Sequence, residues 1–182
     1  MRVKMSPAKS LTTIIGPSGT GKTTLLKQLI PLLADRGIRL GVIKHAHHNF
    51  DIDKPGKDSF ELRKAGARQM LVASSRRWAL MTETGDHDEP QLDYLLGRLD
   101  PDGIDLVLVE GFKRVPFPRI ELHRPSLGYS LLHPEDSNII AVATDEPVET
   151  GDLPRLDLNN AAAIAEFILA WLEEQKDNAG KQ

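Results

Sequence analysis

Short β-branched apolar runs alternate along this chain with longer stretches in which apolar residues recur every three or four positions. Leu11-Thr12-Thr13-Ile14-Ile15 predicts a buried strand. Leu25, Leu26, Leu29, Ile30, Leu32 and Leu33 then form a wide stripe at helical spacing. Pro31 lies inside that stripe. It lacks a backbone donor and its ring meets the preceding turn, so a kink or a restart is expected. Gly37 is placed to cap the helix, and 39–44 predicts a second, parallel strand. Pro55-Gly56 has the chemistry of a type II bend. Asp58 or Ser59 can cap a short helix, with Glu61 completing a capping box with Asp58 and Gly66 ending the helix. Segments 69–74 and 77–83 are β-type runs that predict an antiparallel hairpin. An acidic loop over 85–90 leads to a helix over 91–99, with Leu92, Leu95, Leu96 and Leu99 on one face.

The second half repeats the alternation. Residues 105–111 predict a buried strand ending in an acid, 112–118 a basic, proline-containing loop, and 119–122 a short strand. Loop-like sequence over 126–136 precedes a further buried strand at 138–144, which ends at Asp145. A last short strand is expected at 153–158. Asn159 or Asn160 then caps a terminal helix whose Ile164, Phe167, Ile168, Trp171 and Leu172 face inward. Residues 1–9 read as a frayed start and 177–182 as a disordered tail, leaving one domain over 1–176.

Between the first strand and the first helix lies Gly16-Pro17-Ser18-Gly19-Thr20-Gly21-Lys22-Thr23, a match to G-x-x-x-x-G-K-[ST] in the strand–loop–helix context that this phosphate-binding loop requires. Gly16, Gly19 and Gly21 allow the backbone conformations that turn amide N–H groups inward on a phosphate. Pro17 has no N–H, so the donors come from Ser18 onward. Lys22 supplies a point charge near the β- and γ-phosphates, and the Thr23 hydroxyl can sit on Mg²⁺. With the strand and helix pattern, the motif defines the expected fold: a three-layer α/β P-loop NTPase domain, with a mainly parallel sheet and an antiparallel hairpin extension.

Composition narrows the chemistry. The chain has 182 residues, a net charge of −3 and no cysteine, which excludes disulfides, thiolate metal sites and cysteine nucleophiles. Nothing in the charge balance suggests wholesale nucleic-acid or membrane binding. No stretch approaches ~18 apolar residues and no cleavable signal is visible, so a cytoplasmic protein is expected.

Glu110 ends a hydrophobic strand, the place of the second acid in such sites, where it holds Mg²⁺ or polarises the attacking water. Asp51 and Asp53 are candidates to approach Mg²⁺ from the loop after the second strand, with solvated loop acids the alternative. His45, His47 and His48 suggest a metal, but zinc needs three or four converging ligands; a polar rim beside the phosphates fits better. Arg63, Lys64 and Arg68 form one basic cluster, and Arg76 and Arg77 another; either could bind a second anion or be solvated. Asp145 is a candidate base-reading residue, because a carboxylate accepts both the N1–H and N2–H of guanine. The N-K-x-D signature of regulatory GTPases is absent. The sequence shows no glutamine beside the acid strand and no isolated arginine aimed at the loop, which predicts slow unaided turnover.

The chain resembles the adaptor B family of molybdopterin-guanine dinucleotide biosynthesis. The likeness rests on 16–24, which includes Thr24, on K-H-A-H-H-N-F-D-I-D-K-P-G-K-D-S-F-E-L-R-K-A-G-A at 44–67, on R-W-A-L-M-T-E at 77–83 and on L-V-E-G-F-K at 108–113. The resemblance implies a homodimer that binds GTP with Mg²⁺ and hydrolyses it slowly. It implies that the protein assists the guanylyltransferase that joins GMP to molybdopterin, and that it contacts other molybdenum-cofactor assembly proteins. Gly16, Gly21, Lys22 and Thr23 carry the family's loop directly, whereas the match does not define separate roles for Asp51, Asp53 and Glu110. Two other readings are compatible with the loop: a small-molecule kinase, and a binding module that nucleotide only stabilises.

Overall fold

The structure, a computed structural model, describes residues 10–46, 50–85, 91–112 and 115–179. The chain divides into two compact units, one formed by Met1–His45 with Leu92–Gln182 and the other by Ala46–Gln91.

The first unit is built on a six-stranded sheet in the order β2-β5-β1-β6-β7-β8, parallel throughout. Its strands are β1 (Ser10–Ile15), β2 (Leu40–Lys44), β5 (Leu106–Glu110), β6 (Arg119–His123), β7 (Ile139–Thr144) and β8 (Arg155–Asp157). A sheet of this kind needs both faces covered, and its strands are correspondingly apolar on both sides. On one face Ile14, Leu106, Leu108, Ile120 and Leu122 pack against Leu26, Leu29 and Leu33 of α1 (Lys22–Ala34) and Ile164, Ile168 and Leu172 of α4 (Ala161–Ala179). On the other, Leu11, Ile43, Val107 and Val109 meet Leu92 and Leu96 of the short helix α3 (Leu92–Leu96).

The expected elements are present, with differences that have local causes. Helix α1 runs through Pro31 as one element, without the expected restart. Pro31 and Lys27 are both exposed, so the carbonyl that the proline cannot bond faces water. Gly37, at φ 80°, ends the helix in a Schellman motif: its N–H donates to the Ala34 carbonyl and that of Ile38 to Leu33. Helix α3 stops at Leu96 and does not run to 99, because Gly97 follows; Leu99 remains half-buried against the same cluster. Asn160, not Asn159, caps α4 by accepting the Ala163 N–H at 3.0 Å. The same helix continues through Ala179, so 177–179 are helical where a disordered tail was expected. The expectations for 1–9, 86–90 and 180–182 lie outside the described residues.

Strand β6 departs most from its sequence pattern. Arg119, Glu121 and His123 suggest a half-exposed strand, yet it is central, between β1 and β7, and all three are buried. The segment that follows supplies partners for Arg119 and Glu121. Asp136 pairs with the Arg119 guanidinium at 2.6 Å, and the Glu121 carboxylate accepts the Leu132 and His133 backbone N–H groups at 2.7 and 3.0 Å. Buried charges persist only with such satisfaction.

The second unit contains α2 (Asp58–Lys64) and a two-stranded antiparallel sheet, β3 (Gln69–Ala73) with β4 (Trp78–Thr82). The bend at Pro55-Gly56 forms as expected, with Lys57 N–H donating to the Lys54 carbonyl and Gly56 at φ 81°. The capping box does not form. Lys57 is the N-cap, and the Glu61 carboxylate reaches back to the Gly56 N–H at 3.1 Å.

Candidate functional site

The loop between β1 and α1 takes the conformation its glycines allow. Gly16, Gly19 and Gly21 all have positive φ. A Cβ on Gly16 would stand 2.5 Å from the Leu122 carbonyl oxygen, so only glycine lets β1 turn this close to β6. The Lys22 ammonium donates to the Gly16 and Pro17 carbonyls at 2.9 and 2.7 Å, folding the side chain back over the loop. Thr20 is buried and its hydroxyl donates to the Pro17 carbonyl at 2.9 Å. Helix α1 then starts, and its first-turn amides form the positive end of the helix dipole beside the loop.

Two neighbouring strands bring side chains to this loop. Strand β5 pairs with β1 in the register Ile14↔Glu110, which carries Glu110 to the same edge of the sheet. The Thr23 hydroxyl donates to Glu110 Oε1 at 3.2 Å, with Oε2 at 3.5 Å. Strand β2 pairs with β5 in the register Lys44↔Glu110, and the Lys44 ammonium stands 3.5 Å from Oε2. A cleft of about 360 Å³ is lined by Ser18, Gly19, Gly21, Lys22, Thr23, Thr24 and Glu110. The donor pair suits Mg²⁺. Both groups are hard oxygens, and their separation of 3.2 Å is near the roughly 2.9 Å between adjacent ligands of an octahedral ion with bonds of about 2.0–2.1 Å.

Strand β6 supplies Arg124, which follows its last residue. Its Nε donates to the Thr20 carbonyl at 3.1 Å, and its Nη1 donates to Asp145, the first residue beyond β7. The expectation that no arginine is aimed at the loop is therefore corrected. That contact arises from the pairing of β1 with β6, two strands more than a hundred residues apart in sequence, where no local pattern records it. Lys44 was missed in the same way, although its place at a strand end on the loop's edge was a usable signal.

The remaining candidates are otherwise engaged. Asp51 and Asp53 lie in the second unit, each 2.6 Å from the Arg63 guanidinium, which also meets Glu83 at 2.5 Å. Arg63 is buried there, and its hydrogen bonds hold the Asp53 carboxyl below the usual carboxylate range. Arg63 is thus matched by three carboxylates, so of the basic cluster Arg63, Lys64 and Arg68, read as solvated or as able to bind a second anion, Arg63 is neither solvated nor open to an anion. His45 stacks on Phe112 with ring centroids 4.9 Å apart. His47 and His48 lie outside the described residues. Among the described residues no group of three or more His, Asp or Glu is arranged to hold a metal ion.

Residues 11–145 match the family model described as molybdopterin guanine dinucleotide synthesis protein B. The chain belongs to that family. It is 53% identical over 162 residues to the molybdopterin-guanine dinucleotide biosynthesis adapter protein of Escherichia coli (strain K12), covering 87% of this chain and 90% of the relative. To the adapter protein of the same name from Haemophilus influenzae it is 51% identical over 161 residues, with 87% of each chain covered. The fold is similar to a crystal structure of molybdopterin-guanine biosynthesis protein B, with a TM-score of 0.70, 29% identity, and coverage of 90% of this chain and 99% of that one. It is also similar to Bacillus subtilis MobB, with a TM-score of 0.71 at 22% identity over 88% of this chain and 96% of that one. The fold of this family is thus the α/β P-loop NTPase fold expected from the sequence. No helix among the described residues is long and apolar enough to cross a membrane.

Proposed function

We propose that this protein binds GTP·Mg²⁺, hydrolyses it slowly, and serves as an accessory to the guanylation of molybdopterin in molybdenum-cofactor biosynthesis. The pathway comes from the names of its relatives. The nucleotide reading is carried by one observation, the Thr23 hydroxyl meeting the Glu110 carboxylate across from the Lys22 loop. In this reading the loop amides and Lys22 bind the triphosphate, Lys22 exchanging a loop carbonyl for a phosphate oxygen. Thr23 and Glu110 would hold Mg²⁺, which neutralises phosphate charge when bound. Lys44, beside Glu110, adds a further positive charge at that end of the cleft. The residues lining the cleft include no glutamine and no arginine, and Arg124 is tied to Thr20 and Asp145. Water is therefore poorly oriented and turnover slow, far below one per second unaided. The protein acts as a cytoplasmic homodimer alongside the guanylyltransferase and other cofactor-assembly proteins.

The test is incubation of γ-labelled GTP with the protein and cell extract. Label should appear slowly as free phosphate. Label on a small metabolite would make the protein a kinase, and hydrolysis at tens per second by the purified chain would make it an efficient enzyme with no need of a partner.

A further inference from the structure

The Glu110 carboxylate is approached from two sides. The Thr23 hydroxyl donates to Oε1 at 3.2 Å from the phosphate-loop side, and the Lys44 ammonium stands 3.5 Å from Oε2 on the side of β2. The backbone beneath this pair is fixed. Lys44 is in register with Glu110, and the His45 N–H donates to the Glu110 carbonyl at 2.9 Å. The two side chains differ in freedom. Glu110 is 12% exposed and lines the cleft beside the loop, whereas Lys44 is 58% exposed on an edge strand of the sheet. Their contact is also loose. Charge-assisted N–H···O bonds close to roughly 2.7–2.9 Å. The other ion pairs among the described residues stand at 2.7 Å or less. Lys44 is thus a neighbouring charge held by attraction across 3.5 Å, on a flexible and solvated stem that can leave at little cost.

We infer that Lys44 is a positioning residue that serves as the counter-cation of Glu110 and yields that place to a divalent metal, and that it thereby sets how strongly nucleotide binding depends on Mg²⁺. The inference rests on the proposed reading of Thr23 and Glu110 as the metal pair of a GTP site. A triphosphate on the loop brings several negative charges towards Glu110, which lines the same cleft. When no metal is bound, Lys44 offsets the repulsion between that carboxylate and the phosphates. With a divalent ion on the carboxylate, an ammonium this close faces a like charge, and the exposed side chain turns out to solvent. The two cations compete for one anion, so the lysine reduces the advantage that Mg²⁺ confers.

Calorimetric titration with GTP, in excess Mg²⁺ and again in EDTA, gives one ratio of affinities for each protein. Any loss common to the two conditions cancels in that ratio. The wild type, Lys44→Met, Lys44→Arg, Glu110→Gln and the Lys44→Met/Glu110→Gln double variant are compared, each checked for a normal melt. The wild type should bind more tightly in Mg²⁺. Lys44→Met should raise the ratio about fivefold or more, chiefly by weakening GTP in EDTA. Lys44→Arg, which keeps the charge, should hold the ratio within about twofold of the wild type. In the Glu110→Gln background, Lys44→Met should change the ratio by less than about twofold, since the carboxylate through which it acts is gone. A ratio that falls in Lys44→Met would make the lysine an aid to the metal, and an unchanged ratio would make it a bystander or a plain phosphate contact. Either result overturns the assignment, as does an undiminished effect in the Glu110→Gln background. A wild-type ratio near one would overturn the metal reading itself, and the assignment with it. If the wild type does depend on Mg²⁺ but Lys44→Met leaves the ratio alone, only the role of Lys44 fails.

Discussion

At the scale of single residues, the site depends on a few charges whose partners are now visible. Lys22 is held by the Gly16 and Pro17 carbonyls, so the ammonium is already over the loop before any ligand arrives. Lys22→Ala removes that charge together with the hydrogen bonds it donates to the Gly16 and Pro17 carbonyls. GTP affinity should fall by a factor of ~30 to ~1,000, equivalent to roughly 2–4 kcal/mol, with little change in melting temperature. Calorimetry and a thermal melt on the same sample check both halves; an unchanged affinity would remove the loop as the phosphate site. The loop residues were legible because their roles follow from local backbone chemistry: glycine at positive φ, a lysine and a threonine opening a helix. Arg124 and Lys44 were not, since their relation to the loop exists only through strand pairing. Asp51 and Asp53, which in sequence read as candidate metal ligands or solvated loop acids, are engaged by an arginine twelve and ten residues along the chain.

At the scale of elements, two ion-paired strands make contrasting demands. In β6 the Glu121 carboxylate is almost fully buried and accepts two backbone N–H groups from the segment 132–133. Glu121→Ala removes the buried acceptor shared by the backbone N–H groups of exposed Leu132 and partly buried His133, and should cost about 1–3 kcal/mol by chemical denaturation. A loss under about 0.5 kcal/mol would mean that water replaces the carboxylate and the strand is not held as described. At the start of β2 and β5, Arg39 is bound by Asp105 through its backbone N–H, Nε and Nη2. The side-chain hydrogen bond from Arg39 lowers the Asp105 pKa to about 2. The unfolded carboxyl titrates near ~3.9, so the pair stabilises the fold above that pH and its contribution disappears as pH falls from about 4 to about 2. Asp105→Asn should therefore melt below the wild type at pH 6, with the gap closing by pH 2; a gap independent of pH would contradict the ion pair. The apolar strands β1, β5 and β7 were readable because burial on both faces leaves a continuous hydrophobic run. Strand β6 was readable only in part: its central position depends on Asp136 and on the backbone of 132–133, which lie in a stretch whose sequence looks like an unstructured loop.

At the scale of the whole molecule, the parallel sheet explains why these residues meet. Strands β2, β5, β1, β6 and β7 all run the same way, so Lys44, Glu110, the phosphate loop, Arg124 and Asp145 emerge at one edge in that order. In the proposed reading, one end of this row would meet the metal and phosphates of a nucleoside triphosphate and the other its base. The most direct test is calorimetric titration of the purified wild-type chain with GTP and with ATP, each in excess Mg²⁺ and again in EDTA, alongside Glu110→Gln. GTP should bind more tightly than ATP, removal of Mg²⁺ should weaken GTP, and Glu110→Gln should reproduce most of that loss while becoming insensitive to Mg²⁺. Equal affinity for the two nucleotides, or GTP binding that neither EDTA nor Glu110→Gln alters, would contradict the account.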